Sequence, residues 1–504
     1  MTVQPVGDEM FAWSDLDSAP GPVRGRALAP LMALARGRTL VAGPHDPTLL
    51  PATEPTARPA AEPAAGPGEQ GGPASQRLTE LTLLVRGMSD AEALADSLDA
   101  TVYCGSPAKL PIGARFDTVL ALDGLERLGS TEAAPRGWGE TLAALVAVLA
   151  PGGVLVLGVE NLFGLHRIVA PPRPPSDMDW APGAAHDPTR PTGPAALGSA
   201  LVAAGLDPVV TYAAYPDPVA PEALLSAGVL ADGEVRGWAE ATLAQTFAFH
   251  ARIRRGAADD PAVLRDPATL AVDAARHDLA TALAPGWIVV ARRAPATGVT
   301  LPDVLTGDAA LRRAELPSGR TLESLVLDAA LRRDLPQVRA LLTRWQQGPL
   351  AAVPAGQVIV GPDGLTAASV GERADVLRLL AAGLLRGGAG PVWPAVAVAA
   401  DLAAVLAAMT GREPAPADLA AEPPPRSLAE LLGERDRLAR ALVEARAEAR
   451  FHDDAVAALE SEVYRARRTI ALLSARGPAR AGRAFAGGVR AVARRGRAWL
   501  PWRR

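Results

Sequence analysis

Residues 115–170 read RFDTVLALDGLERLGSTEAAPRGWGETLAALVAVLAPGGVLVLGVENLFGLHRIVA. Phe116 to Leu122 is a short apolar run rich in branched side chains, and it ends at Asp123-Gly124. From Thr141 to Ala150, the spacing of Leu142, Leu145, Val146 and Leu149 predicts one apolar helical face. Pro151-Gly152-Gly153 should stop that helix, because proline disfavours helical geometry in the residue before it and glycine permits a turn. Val154 to Val159 then reads as a second apolar strand leading into Glu160-Asn161. Strand, helix and strand in this order make a βαβ unit with parallel strands. Strands buried on both faces carry continuous apolar runs of this kind.

Two motifs, FDTVLALDGLERL and LAPGGVLVLGVEN, resemble the second half of a class I S-adenosylmethionine-dependent methyltransferase. Val159–Ala170 and Tyr212–Ser226 are similar to methyltransferases found with bacterial surface-polysaccharide synthesis enzymes. The resemblance covers roughly 39–293, with gaps. It implies an α/β, Rossmann-like methyltransferase domain over 1–294, with S-adenosylmethionine as cofactor and a sugar or polysaccharide precursor as acceptor.

Length and composition fit this frame. A chain of 504 residues has room for about three domains. One cysteine, Cys104, excludes both an intramolecular disulfide and a cysteine zinc cluster, and suits a reducing cytoplasm; no metal set is read. Neither a secretory signal nor an uninterrupted apolar span is expected.

By position, residues 38–47 (RTLVAGPHDP) form the first strand and its phosphate-side loop. The family's loop is glycine-rich; here Gly43 stands beside Pro44, His45 and Asp46. The loop reads equally as a cofactor loop and as an ordinary strand-end turn. Residues 51–76 are rich in Pro, Ala, Glu and Gly and read as a disordered insertion. Leu81–Val85 is the next strand. Where the family carries a ribose-binding acid, Arg86-Gly87 stands instead, and Asp90 reads as a helix cap. Thr101–Gly105 is the third strand, with Gly105-Ser106 in the adenine-side loop.

Ligands of open α/β sheets sit outside the carboxyl ends of the strands. Gly43, His45, Asp46, Gly105, Ser106, Asp123, Gly124 and Asn161 are therefore the expected cofactor contacts. Asp123 reads either as a contact to the methionine end or as a turn residue. Methyl transfer to a hydroxyl requires removal of a proton. His166, with Glu160 beside it, is the expected base on titration grounds, and an exposed structural histidine is the competing reading. His186, in a proline-rich loop with Asp177, Asp179 and Trp180, is a second base candidate.

Val209–Tyr215 and Trp287–Ala291 are expected to pair at the sheet edge and close the domain near Arg293. Residues 297–412 follow as a smaller, mostly helical α+β domain. This part resembles a remnant of a kinase-like lobe, without HRD-like or DFG-like residues. A linker, 413–426, leads to 427–473. There Leu428, Leu431, Arg435, Leu438 and Leu442 begin an alternating 3/4 spacing that continues to Leu473 and predicts a coiled coil. A homo-oligomer, most simply a dimer, is the expected use. Beyond Glu462 there is no acid, and 474–504 is a basic tail with Trp499 and Trp502. Such a tail suits the anionic inner face of a membrane, with nucleic acid the runner-up and a solvated tail the bland alternative. Departures at the cofactor loop leave a second reading open: a catalytically inactive methyltransferase-fold scaffold or regulator beside polysaccharide enzymes.

Overall fold

A computed structural model describes residues 3–17, 21–50, 78–130, 132–169, 187–254, 264–294, 300–369, 371–394, 396, 398–420 and 428–474. Two compact units divide the chain, Met1–Leu428 and Ala429–Arg504.

The first unit is built on eleven strands: β1 Val3–Gly7, β2 Gly37–Ala42, β3 Leu78–Val85, β4 Thr101–Gly105, β5 Phe116–Ala121, β6 Leu149–Glu160, β7 Leu206–Tyr215, β8 Ala223–Ser226, β9 Gly286–Arg293, β10 Val304–Thr306 and β11 Ala310–Leu311. Their order in the sheet is β1-β4-β3-β2-β5-β6-β9-β7-β8-β10-β11. Strands β1 to β6 pair in parallel, while β9 runs antiparallel between β6 and β7. This mixed α/β sheet fits a Rossmann-like fold. The chain winds outward from β2 in one direction through β3 and β4, and from β5 in the other. The switch point therefore lies between β2 and β5.

Both faces of the central strands are buried. Leu40, Leu84, Val119 and Leu155 belong to one core, and Val41, Leu83, Leu120 and Val156 to the other. Two buried faces leave no room for polar alternation, which explains the apolar runs. The helix predicted over 141–150 runs Trp138–Val148 and buries Leu142 and Leu145. It stops before Pro151, and Pro151-Gly152-Gly153 lies within β6, where the pairing with β5 changes register.

Several sequence expectations are corrected. The first strand is β1, ahead of residues 38–47; two of its five residues are exposed, and it carries little apolar signal. Asp90 does not cap the helix Met88–Ser97, whose N-cap is Gly87; it accepts hydrogen bonds from Ser14 and Asp15 instead. The expected boundary near Arg293 falls inside the sheet, because β10 and β11 extend it beyond β8. The expected insertion 51–76 and the tail from 475 lie outside the described residues, as do His186, Asp177, Asp179 and Trp180.

A smaller core spans Leu322 to Ala407. Helices Leu322–Leu331, Leu335–Gln346, Val376–Arg386 and Ala399–Met409 pack beside a three-stranded sheet of β12 Arg320–Thr321, β13 Val358–Gly361 and β14 Gly364–Ala367. Asp363-Gly364 sits at the β13–β14 hairpin, with Gly364 at φ +128°. The second unit contains one 47-residue helix, Leu428–Ser474. No helix among the described residues is long and apolar enough to cross a membrane.

Candidate functional site

Five parallel strands, β2 to β6, bring their following loops to one sheet edge. Gly43, Arg86-Gly87, Gly105-Ser106, Asp123-Gly124 and Asn161 stand there. The fold thus gathers the expected cofactor residues. What lies on top of them is the chain's own N-terminal segment.

That segment binds strand end after strand end. Ser106 donates its backbone N–H to the Gly7 carbonyl at 3.1 Å. Met10 bridges to Gly87, donating to the Arg86 carbonyl at 2.8 Å and accepting from Met88 at 3.0 Å. Val23 bridges to His45, donating to the Pro44 carbonyl and accepting from Asp46. A side chain at Gly87 would meet the Trp13 carbonyl oxygen at 2.5 Å, so backbone fills the space glycine leaves.

Arg86, in the place of a ribose-binding acid, is buried and paired with buried Asp15. Its Nε and Nη2 donate to the two Asp15 oxygens at 2.7 Å each, and Nη1 donates to the Gly129 carbonyl. The Trp13 ring stacks near the guanidinium, 5.6 Å from its centroid. Asp90 anchors the same segment through Ser14 and the Asp15 N–H. Burial pushes the Asp90 carboxyl above its ordinary range, against the pull of those two bonds.

At the switch point, Asp123 is paired with Arg127, whose Nη2 also donates to the Gly21 carbonyl. Burial pushes the Asp123 carboxyl upward, and the Arg127 charge opposes that push. His45 is buried, and its Nδ1 donates to the Gly43 carbonyl at 3.0 Å. Burial lowers its pKa from 6.5 to about 4, so the ring is neutral at pH 7 and Nε2 is a lone-pair acceptor. His45 Nε2 and Arg127 Nη1 are both buried without a hydrogen-bond partner. Gly43 holds φ +93°, a conformation that favours glycine.

The other expected contacts are occupied structurally. Asp46 caps the short turn Pro47–Leu49 by accepting from Thr48. Asn161 is buried, donates to the Ala282 and Ala284 carbonyls and accepts from Phe163. Gly124 turns the chain after β5 at φ +90°.

Beyond β6, His166 Nε2 and Arg167 Nε both lie 2.9 Å from Glu160 Oε1. Burial raises the Glu160 carboxyl, but the bonds and charges of His166 and Arg167 outweigh it and hold it below its ordinary value. His166 Nδ1 is buried without a partner, and a side chain at Gly164 would come within 2.8 Å of it. The two expected catalytic residues are thus brought together. The nitrogen left to accept a proton is closed off by the loop it sits on.

Sequence reasoning missed Asp15, Arg127 and Arg190. The Arg190 guanidinium bonds Glu126 and the Glu160 carbonyl, tying the loop after β5 to the end of β6. Their signal is weak: each is an ordinary charged residue whose partner is distant in sequence or lies across a loop. Among the described residues, no group of three or more His, Cys, Asp or Glu side chains could hold a metal ion.

The described arrangement does not admit adenosine at β3 and β4, because residues 7–15 fill those strand ends. Only displacement of this segment would open the edge.

No family model and no curated protein matches the chain. Solved structures similar to it include the [4+2]-cyclase SpnF, at 16% identity over 53% of this chain and 80% of that one, with a TM-score of 0.24. Another is a Burkholderia thailandensis 1,6-didemethyltoxoflavin-N1-methyltransferase with bound S-adenosylhomocysteine, at 14% identity over 53% and 78%, TM-score 0.22. A third is CalS10, an amino pentose methyltransferase from Micromonospora echinaspora with bound S-adenosylmethionine, at 17% identity over 36% and 82%, TM-score 0.20.

Proposed function

We propose that this chain is an S-adenosylmethionine-dependent methyltransferase acting on a sugar or cell-surface polysaccharide precursor. The observation that carries the reading is the strand order, with β9 reversed between β6 and β7 and five parallel strand ends at one edge. In this reading residues 8–17 and 21–23 would move aside to admit the cofactor. When bound, the cofactor would supply an activated methyl group. Gly43 and Asp123 would line the switch point, and Arg127 would lose its bond to the Gly21 carbonyl. The Glu160–His166 couple lies at the end of β6, where an acceptor hydroxyl must give up its proton. Proton uptake at His166 Nδ1 then requires the 161–164 loop to shift.

A second reading is a catalytically inactive scaffold or regulator, and one observation favours it: the chain's own segment occupies the ends of β2, β3 and β4. Calorimetric titration of the full chain with S-adenosylmethionine and S-adenosylhomocysteine separates the two. Micromolar binding, about −8 kcal/mol, supports the enzyme. Silence at millimolar ligand leaves the scaffold.

The same proposal gives the long helix to self-association and the Arg/Trp tail to an anionic membrane surface facing the cytoplasm. Co-sedimentation with anionic vesicles checks the tail. Salt-sensitive binding to DNA, without vesicle binding, would argue for nucleic acid instead.

A further inference from the structure

We propose that the helix Leu428–Ser474 pairs with the same helix of a second copy in antiparallel orientation. This rests on the reading that the helix joins two copies of the chain, and adds its geometry. The helix is about 70 Å long at 1.5 Å per residue. Its apolar seam faces solvent in the single chain: Leu438, Leu442, Leu459 and Val463 are between 49% and 62% exposed.

A parallel pair sets every seam residue against its own copy. Arg435 would then face Arg435, and His452 would face His452. Ala445, Ala449 and Ala466 would each face themselves, leaving three thin layers with little apolar area. Along the flank, Glu448 of one helix would meet Asp453 of the other, two like charges.

Reversing one helix changes every layer. In the register of greatest overlap, Arg435 lies opposite Ala466, His452 opposite Ala449, and Val456 opposite Ala445. Each seam alanine then receives a large partner, and layers of alternating size interdigitate. The Arg435 stem can cross the small alanine while its guanidinium reaches water. Leu442 meets Leu459, and Leu438 meets Val463. On the flank, Arg446 comes within reach of Asp453 of the second copy, an opposite-charge pair. A parallel pair sets one opposite-charge flank contact, Glu462 with Arg467, against one like-charge contact, whereas the antiparallel pair has only an attractive one, Arg446 with Asp453, and also matches size end to end.

Cysteine cross-linking of the full chain reads the orientation directly, since the native Cys104 is buried. Leu438→Cys and Val463→Cys are prepared separately, oxidised alone and oxidised after mixing. The expected result is a cross-linked dimer in the mixture and none with either variant alone. Sedimentation should give twice the 51.9 kDa chain mass. Cross-linking of Leu438→Cys with itself would overturn the antiparallel geometry while leaving self-pairing intact. A monomeric mass at high micromolar concentration would overturn both.

Discussion

His45 has its chemistry set by burial. Its ring stays neutral down to about pH 4, while an exposed histidine protonates near 6.5. As pH falls through that window, the unfolded chain takes up a proton that the folded chain refuses. Stability present above pH 6.5 is therefore lost toward pH 4, by about 3 kcal/mol from this group. His45→Asn, which keeps a donor for the Gly43 carbonyl, should flatten this part of the profile; urea unfolding of both proteins at pH 7 and pH 4.5 checks it. The buried Asp15–Arg86 pair makes a second residue-scale prediction. Asp15→Ala takes the carboxylate from a buried guanidinium and should cost about 3–5 kcal/mol, felt first as release of residues 8–17. Hydrogen exchange of that segment reads the release. Asp15→Leu with Arg86→Met should recover most of the loss, because replacing both partners removes the desolvation cost. At this scale the sequence was only partly legible. Gly43, Asp123 and Glu160–His166 could be placed from strand ends alone. Asp15 could not, because its meaning comes from Arg86, 71 residues away.

Periodicity carries the elements well wherever one face or both faces are buried. Leu145 on the helix Trp138–Val148 is fully buried, and Leu145→Ala should cost about 2–5 kcal/mol in a urea titration. Segments without such patterning were illegible. β1 has exposed positions, and residues 8–17 and 21–23 form no regular element over most of their length, so hydropathy gave no hint that they cross the sheet edge. That segment also makes a binding prediction. If it must leave before the cofactor enters, the apparent affinity is reduced by the fraction of open molecules. Asp15→Ala should then tighten S-adenosylmethionine binding by about tenfold or more, since each 1.4 kcal/mol is a factor of ten. A scaffold without a cofactor site would bind in neither form.

On the scale of the whole molecule, most of the large sheet was readable because the parallel strands β2 to β6 announce themselves by their apolar runs and chain order with right-handed crossovers limits the topology. Its edge was less so: β10 and β11 are two or three residues long and extend the sheet past the expected boundary. In the proposed function this sheet takes S-adenosylmethionine at the ends of β2 to β6 once residues 8–17 and 21–23 yield. Calorimetric titration of the full chain and of Asp15→Ala, side by side, tests it most directly. Micromolar binding that tightens in the variant is the predicted result. No heat and no thermal stabilisation from millimolar ligand in either protein would contradict it.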